Sequence, residues 1–338
     1  MALWIGSLEQ GLLFGIMAIG VYLTFRVLNF PDLTVDGSFA LGGAVAASLV
    51  VAGVSGWAAA AVAALAGAGA GLITGLLHTK GKINGLLSGI LTMIALYSVN
   101  LRVMGRANVS LLNEKTIKTE LEAWAQAAGV DRHVVFGVVF FLLLFAVKLA
   151  VDWFLRTDLG TAVRATGDNP AMIRSFGVDT DGTILLGLIL SNALVGLSGG
   201  LIAQYQGYAD VQMGIGMIIV GLASVIIGEV LIGAQTIFRA TLAAAAGAVA
   251  YRFVIAAALR LNVDPNDLKL LTALIVVVAL VVPPILEKRR LQRRLDAEDA
   301  EAVFGDDRRQ AAADRAGAGA GPKAEGRVRP AEKGGEGG

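Results

Sequence analysis

No cysteine occurs anywhere in the 338 residues, which removes disulfide frameworks, thiolate zinc sites and thiol chemistry together. Histidine is nearly absent as well. The two copies, His78 and His133, stand far apart and outside any HExxH-type spacing, so no metal site is expected and each reads as a polar residue at a membrane boundary. Charge is scarce: 16% of residues are Asp, Glu, Lys or Arg, against about 25% in a soluble domain. About 12 basic and about 11 acidic residues fall after position 286, which leaves the first 286 positions roughly 11% charged. A water-facing globule of that size could not cover its surface with so few charges. The hydrophobic share of 56% and mean hydropathy of +0.69 agree. The composition is that of a membrane protein.

Other absences narrow the function. A net charge of +1 argues against a nucleic-acid partner. No GxxxxGK[ST] motif is present, and no strand precedes the Gly/Ala run at 66–71, so this chain is not expected to hold a nucleotide phosphate itself. An intramembrane enzyme would need a nucleophile beside a base, or a set of metal ligands, and neither constellation is visible.

What is present is a series of long apolar runs. A crossing needs about 20 mostly apolar residues for a hydrocarbon core of about 30 Å. The stretches near 5–28, 37–54, 57–77, 84–103, 134–154, 182–204, 214–233, 237–259 and 268–286 meet that need. The expected fold is an all-α polytopic membrane protein with about nine transmembrane helices, in a range of eight to ten. The N-terminal MALWIGSLEQGLLFG lacks the basic n-region of a signal peptide, so its apolar run is expected to be a retained first span. Lys80 and Lys82 after the third span, and Lys288, Arg289, Arg290, Arg293 and Arg294 after the ninth, set those ends in the cytoplasm by the positive-inside rule. The 155–181 connection then shares that side, while the 104–132 loop and the N-terminus face outward. From 287 to 338 Gly, Ala and charged residues dominate, and the segment is expected to be a disordered tail. Its basic start suits an anionic inner leaflet.

Polar residues within or beside spans mark helix contacts or a solute path. Asn29-Phe30-Pro31-Asp32-Leu33-Thr34-Val35-Asp36-Gly37-Ser38 joins the first two spans. Pro31 breaks any helix there, and Asp32, Thr34, Asp36 and Ser38 suit the start of the next one. The sixth span carries Ser191, Asn192, Ser198, Gln204, Tyr205 and Gln206, with Tyr208 beyond it, a set that fits either an outer mouth for a small polar solute or interhelical hydrogen bonds. Ser88, Thr92, Tyr97, Ser98 and Asn100 mark the fourth span. Asn29, Asp32, Thr34, Asp36, Ser38, Tyr97, Asn100, Asn192 and Gln204 are the candidate pathway residues. Glu229 would be costly in lipid, so a partner such as Arg239, or an exposed position at the interface, is expected. Gly67, Gly71 and Gly75 share one helix face and should admit a neighbouring backbone, as should Gly196, Gly199 and Gly200.

The 155–181 connection is too polar to cross a membrane, yet it is patterned. A short helix carrying Ala162, Val163 and Ala165 is expected after the breaker Gly160. Asp168, Asn169 and Pro170 supply turn and capping chemistry, and a second short helix follows with Met172, Ile173 and Phe176 on its apolar side, ending at Gly177. Neither helix can bury its apolar side alone. The pair suits docking on another protein, with a purely structural re-entrant loop as the alternative.

The run from Gly160 through Arg164, Ala165, Gly167, Asn169, Met172, Arg174 and Phe176 to Gly177 resembles the cytoplasmic coupling segment of ATP-binding-cassette importer permeases serving branched-chain amino acids, ribose-like sugars and nucleosides. Met172 and Ile173 stand where that family usually has small residues. The 28–39 stretch, LNFPDLTVDGSF, is similar to the tryptophan and tyrosine transport permeases of the group. The resemblance covers about residues 8–286. It implies a non-enzymatic permease domain over 1–286, in the plasma membrane, that dimerises around a central path. It also implies a solute-binding (lipo)protein outside and separate cytoplasmic ATPase subunits that hold ATP-Mg, with no cofactor on this chain. Arg164, Asn169 and Arg174 would be polar contacts to the ATPase, with Met172 and Phe176 filling a groove. An amino acid is the implied solute, aromatic before branched-chain, with a nucleoside or sugar as alternatives. A self-contained ion-coupled secondary transporter is the competing class. It would need acids at mid-membrane, whereas the sequence sets Asp32 and Asp36 at a span boundary.

Overall fold

The computed structural model describes residues 2–260 together with 270, 273, 274 and 277. The ninth apolar stretch lies outside the described residues but for those four positions, and the 287–338 tail lies wholly outside them.

Seven described helices are long and apolar enough to cross a membrane. They are α1 (Ala2–Tyr22, continued by a π-helical turn over Leu23–Val27), α2 (Thr34–Val51), α3 (Gly56–Thr79), α4 (Gly85–Met104), α6 (Arg132–Arg156), α9 (Thr180–Gln206) and α11 (Ile237–Arg260). Between α4 and α6 lie strand β1 (Asn108–Ser110) and the amphipathic helix α5 (Ile117–Ala128), started by a Thr116–Thr119 capping box. The short helices α7 (Asp158–Asp168) and α8 (Pro170–Ser175) join α6 to α9, and β2 (Tyr208–Asp210) follows α9. The strands pair antiparallel, Asn108 opposite Asp210 and Ser110 opposite Tyr208, an addition to the otherwise all-α architecture that the 104–132 loop had not suggested.

The seventh apolar stretch departs from expectation. In place of a span over 214–233 there is α10 (Met217–Ile232), whose 16 residues extend only about 24 Å, short of a hydrocarbon core of about 30 Å. The chain ahead of it must wrap closely around α2. A Cβ on Gly214 would stand 1.9 Å from the Asp36 carbonyl oxygen, and Gly216 has φ +88°. Backbone of this irregular kind survives at depth only because protein surrounds it.

The bundle is built around α9, which packs against α1, α2 and α3. The expected glycine seam forms: a Cβ on Gly67 would meet the Asn192 carbonyl oxygen at 2.2 Å, and one on Gly71 that of Leu188 at 2.3 Å. Close backbone approach replaces the hydrophobic drive that lipid cannot supply. Phe14, Phe39, Phe140 and Met17 fill the centre between α1, α2, α6 and α9, while Phe141, Leu142 and Trp153 point outward from α6 as a lipid-facing surface does.

Candidate functional site

The break between α1 and α2 is where regular backbone fails. Leu28 N–H bonds the Leu23 carbonyl and Phe30 N–H that of Thr24, which widens the last turn of α1. Asn29 follows in the left-handed region at φ 52°, a conformation Asn tolerates better than most residues. Pro31, which offers no N–H to continue the first helix, lies in the break, and helix resumes at Thr34.

Asp32, 1% exposed, lies at the centre of this break. Its Oδ1 accepts the Thr34 N–H at 2.9 Å and its Oδ2 accepts Asn192 Nδ2 at 2.7 Å. The Asn192 Oδ1 in turn accepts Ser38 Oγ at 2.7 Å, and the Thr34 and Thr74 hydroxyls meet at 2.7 Å. Asn192 is twelve residues into α9, about 18 Å from its start. Asp32 therefore lies between the ends of two spans along the chain, as the sequence implied, yet packs well inside the bundle. Its role also differs slightly from the expected one: Leu33 is the α2 N-cap residue and makes no side-chain bond, so the Asp32 carboxylate caps the helix from one position earlier. Asp36 does not cap α2 at all. It accepts the N–H groups of Gly216 at 2.9 Å and Ile218 at 2.8 Å, and so holds the first turn of α10. An anion there complements the helix dipole.

The nine candidate pathway residues thus separate. Asp32, Thr34, Ser38 and Asn192 form one buried, mutually bonded cluster. Asp36, Tyr97 and Asn100 line a cavity of about 330 Å³ between α2 and α4, where Asn100 Nδ2 reaches the Gly37 carbonyl at 3.5 Å. Asn29 is exposed. Gln204 lies at the far end of α9, donating to the Gly56 carbonyl at 2.9 Å and accepting the Ile117 N–H at 3.1 Å. Ser191 and Ser198 bond carbonyls of α1, Gly20 and Leu13, so these α9 polar groups join helices rather than line a mouth.

Charged groups at three places were missed or misassigned from sequence. Glu229 pairs with Arg26, not Arg239, which instead bonds Gln235. Lys148 and Asp152 form a buried pair between α6 and α11, to which Thr241 adds a hydroxyl at 2.6 Å; the i,i+4 spacing inside an apolar run was the available signal. Glu9, 1% exposed, accepts Tyr205 Oη at 2.6 Å and contacts His133 Nδ1 at 2.9 Å.

The 155–181 connection forms the two expected helices with altered bounds. Thr157 caps α7, which begins at Asp158 and runs through Gly160, so Gly160 is no breaker. Helix continues there because the missing Cβ lets α7 lie on the end of α6, where it would meet the Phe154 carbonyl oxygen at 2.1 Å. Val163 and Thr166 are buried and Ala165 partly so, with Thr166 Oγ1 2.8 Å from Thr183 Oγ1. Gly167 lies directly on the α1 break, its absent Cβ 2.0 Å from the Val27 carbonyl oxygen. Asn169 caps α8 by accepting the Met172 N–H at 3.0 Å. Nothing in α8 is buried: Met172 is 50% exposed, and Phe176 just beyond it is 74% exposed. Arg164 is exposed, Gly177 turns the chain at φ +85°, and Arg174 donates to Thr180 Oγ1 at 3.0 Å.

Residues 4–281 match the family described as branched-chain amino acid transport system / permease component. The chain is 41% identical over 273 residues to a tyrosine transport system permease protein of Clostridioides difficile (strain R20291), covering 81% of this chain and 88% of that one. It is 32% identical to an uncharacterized protein of Rickettsia prowazekii (strain Madrid E), over 83% and 97% of the two chains. With a ribose import permease protein of Escherichia coli (strain K12) it shares 29% identity over 65% and 67%. No solved structure matches the chain.

Proposed function

The chain belongs to the permease family of branched-chain amino acid transport systems, and on that premise we propose that it couples amino acid import to ATP hydrolysis in a separate subunit. In this reading α7 and α8 face the cytoplasm of a plasma-membrane transporter, with the C-terminus on the same side. Two copies of the chain flank the solute path, two ATPase subunits carrying ATP-Mg sit below, and a solute-binding (lipo)protein docks on the β1–β2 side. This chain itself holds no cofactor. Tyrosine is the favoured solute, by likeness to the tyrosine transport system permease of C. difficile.

One observation carries the coupling: α7 rests through Gly167 on the Val27–Leu28 backbone, five residues from the Asp32 cluster. A push on α7 reaches Val27–Leu28, then Asn29 and Asp32. From there the Asn192–Ser38 bonds connect to α9 and α2. Closure of an ATPase on ATP would bias such a bundle between two arrangements, and the packed joint transmits the bias. Arg164, Met172 and Phe176 supply exposed polar and apolar contacts for the motor, while Asn169 and Arg174 set the shape of α8 and its attachment to α9.

The test is Phe176→Ala in the full chain expressed with its ATPase. Truncating an aromatic anchor at an interface costs about 2 kcal/mol or more. Loss of ATPase co-purification with unchanged membrane insertion supports the docking role, and undiminished co-purification sinks it. Uptake of tyrosine by vesicles holding the permease alone, driven by an ion gradient, would instead establish the secondary transporter.

A further inference from the structure

Arg252 on α11 is a charged group that neither the coupling path nor the Asp32 cluster uses. It lies fifteen residues into α11, about 22 Å from one end of the helix and about 12 Å from the other. Its guanidinium covers the Phe14 ring at 3.9 Å from the centroid, and its Nε is buried with no hydrogen-bond partner among the described residues. The contrast with Lys148 is direct. Lys148 is neutralised by Asp152 one turn along the same helix, whereas none of the ion pairs among the described residues includes Arg252. The ninth apolar stretch, 268–286, carries no Asp or Glu, although Asp264 and Asp267 precede it and Glu287 follows it.

A cation at membrane depth is costly unless something answers its charge, and such residues mark solute and ion paths. Arg252 also lines a cavity of about 410 Å³ with Phe14, Met217, Ile219 and Tyr251, within the usual range of about 300–1,000 Å³ for small-molecule sites. Met217 opens α10, whose first N–H groups are already taken by Asp36, so the guanidinium is left as the anion-binding group, and the remaining walls are mostly apolar and aromatic.

We propose that Arg252 is an anion subsite of the solute path, taking the carboxylate of an amino acid while its side chain lies against the apolar wall. This rests on the import reading above and sharpens it: a neutral ribose or nucleoside brings no charge to answer a guanidinium, whereas an amino acid does. A fork of N–H donors also suits a planar carboxylate better than a point charge would.

The experiment uses the full chain with its ATPase and binding protein in phosphatidylcholine vesicles, comparing wild type, Arg252→Lys and Arg252→Met for ATP-driven L-tyrosine uptake. Uptake per ATP hydrolysed should fall at least tenfold in Arg252→Met and less in Arg252→Lys, with assembly retained. Wild-type rates in Arg252→Met overturn the subsite alone; absence of any ATP-driven tyrosine uptake by the wild type overturns the import reading. Because the chain has no cysteine, Ile219→Cys introduces a single thiol into the cavity wall. In the permease–ATPase complex, millimolar L-tyrosine should slow its alkylation by N-ethylmaleimide, and tyramine, which lacks the carboxylate, should not. Equal protection by both overturns the proposal. So does protection that follows added phosphatidylglycerol without tyrosine, because a lipid phosphate would then occupy the guanidinium.

Discussion

The joint around Asp32 and the α7–α8 segment are both polar and only a few residues apart in space, yet they are built on opposite terms. At the joint Asp32, Thr34, Ser38, Thr74 and Asn192 are buried and bonded to one another, tying α2, α3 and α9 together. In α8 nothing is buried, and Met172 and Phe176 expose apolar surface that no part of the described chain covers. On the proposed coupling, the difference separates a self-sufficient transmitter from a contact surface for a second protein. Changes at the joint should therefore lower the stability of the isolated permease, and changes in α8 should leave it untouched while weakening assembly.

The largest effect expected comes from a site that resembles the joint in burial but lies off the coupling route. Lys148→Met strands the Asp152 carboxylate, and breaking a buried pair costs about 3–5 kcal/mol. Thermal unfolding in detergent should shift strongly downward, and adding Asp152→Leu should recover most of the loss while ATP-driven transport returns. Asp32→Ala is expected to cost about 2–3 kcal/mol, because the Thr34 N–H and the Asn192 amide lose a buried acceptor; here transport should stay impaired even where folding is rescued by low temperature. Gly167→Val should cost about 1–3 kcal/mol through overpacking against Val27, read as ATPase activity that persists while solute movement per ATP falls. Arg26→Gln should change stability by less than about 1 kcal/mol, since its pair with Glu229 is half exposed and screened. A large effect there would mean that the pair, rather than the Asp32 joint, holds the two arrangements apart.

Much of this was readable from local chemistry. Pro31 announced the break, the four-residue spacing of Gly67, Gly71 and Gly75 announced the α3–α9 seam, and Asn169-Pro170 announced a capped helix start. Each depends on residues close in sequence. The depth of Asp32, the capture of α10 by Asp36 and the pairing of Arg26 with Glu229 depend on partners about 160 to 200 positions away, and no period or motif encodes them. The start of α10 is not marked in the sequence because Gly214, Ile215 and Gly216 carry no charge to interrupt the apolar run; the tight passage of Gly214 past α2 shows where the helix must begin. Arg252 was legible as a lone charge in an apolar run, but that no described residue pairs with it was not.

Asn29 carries one last implication, for how this protein can diverge. Its left-handed backbone admits Gly, Asn or Asp readily and β-branched residues poorly, so drift at that position is confined to a narrow alphabet although its side chain faces outward. Descendants that fill it with Val or Ile would have to unbend the first helix, and would thereby reveal themselves as having abandoned this hinge.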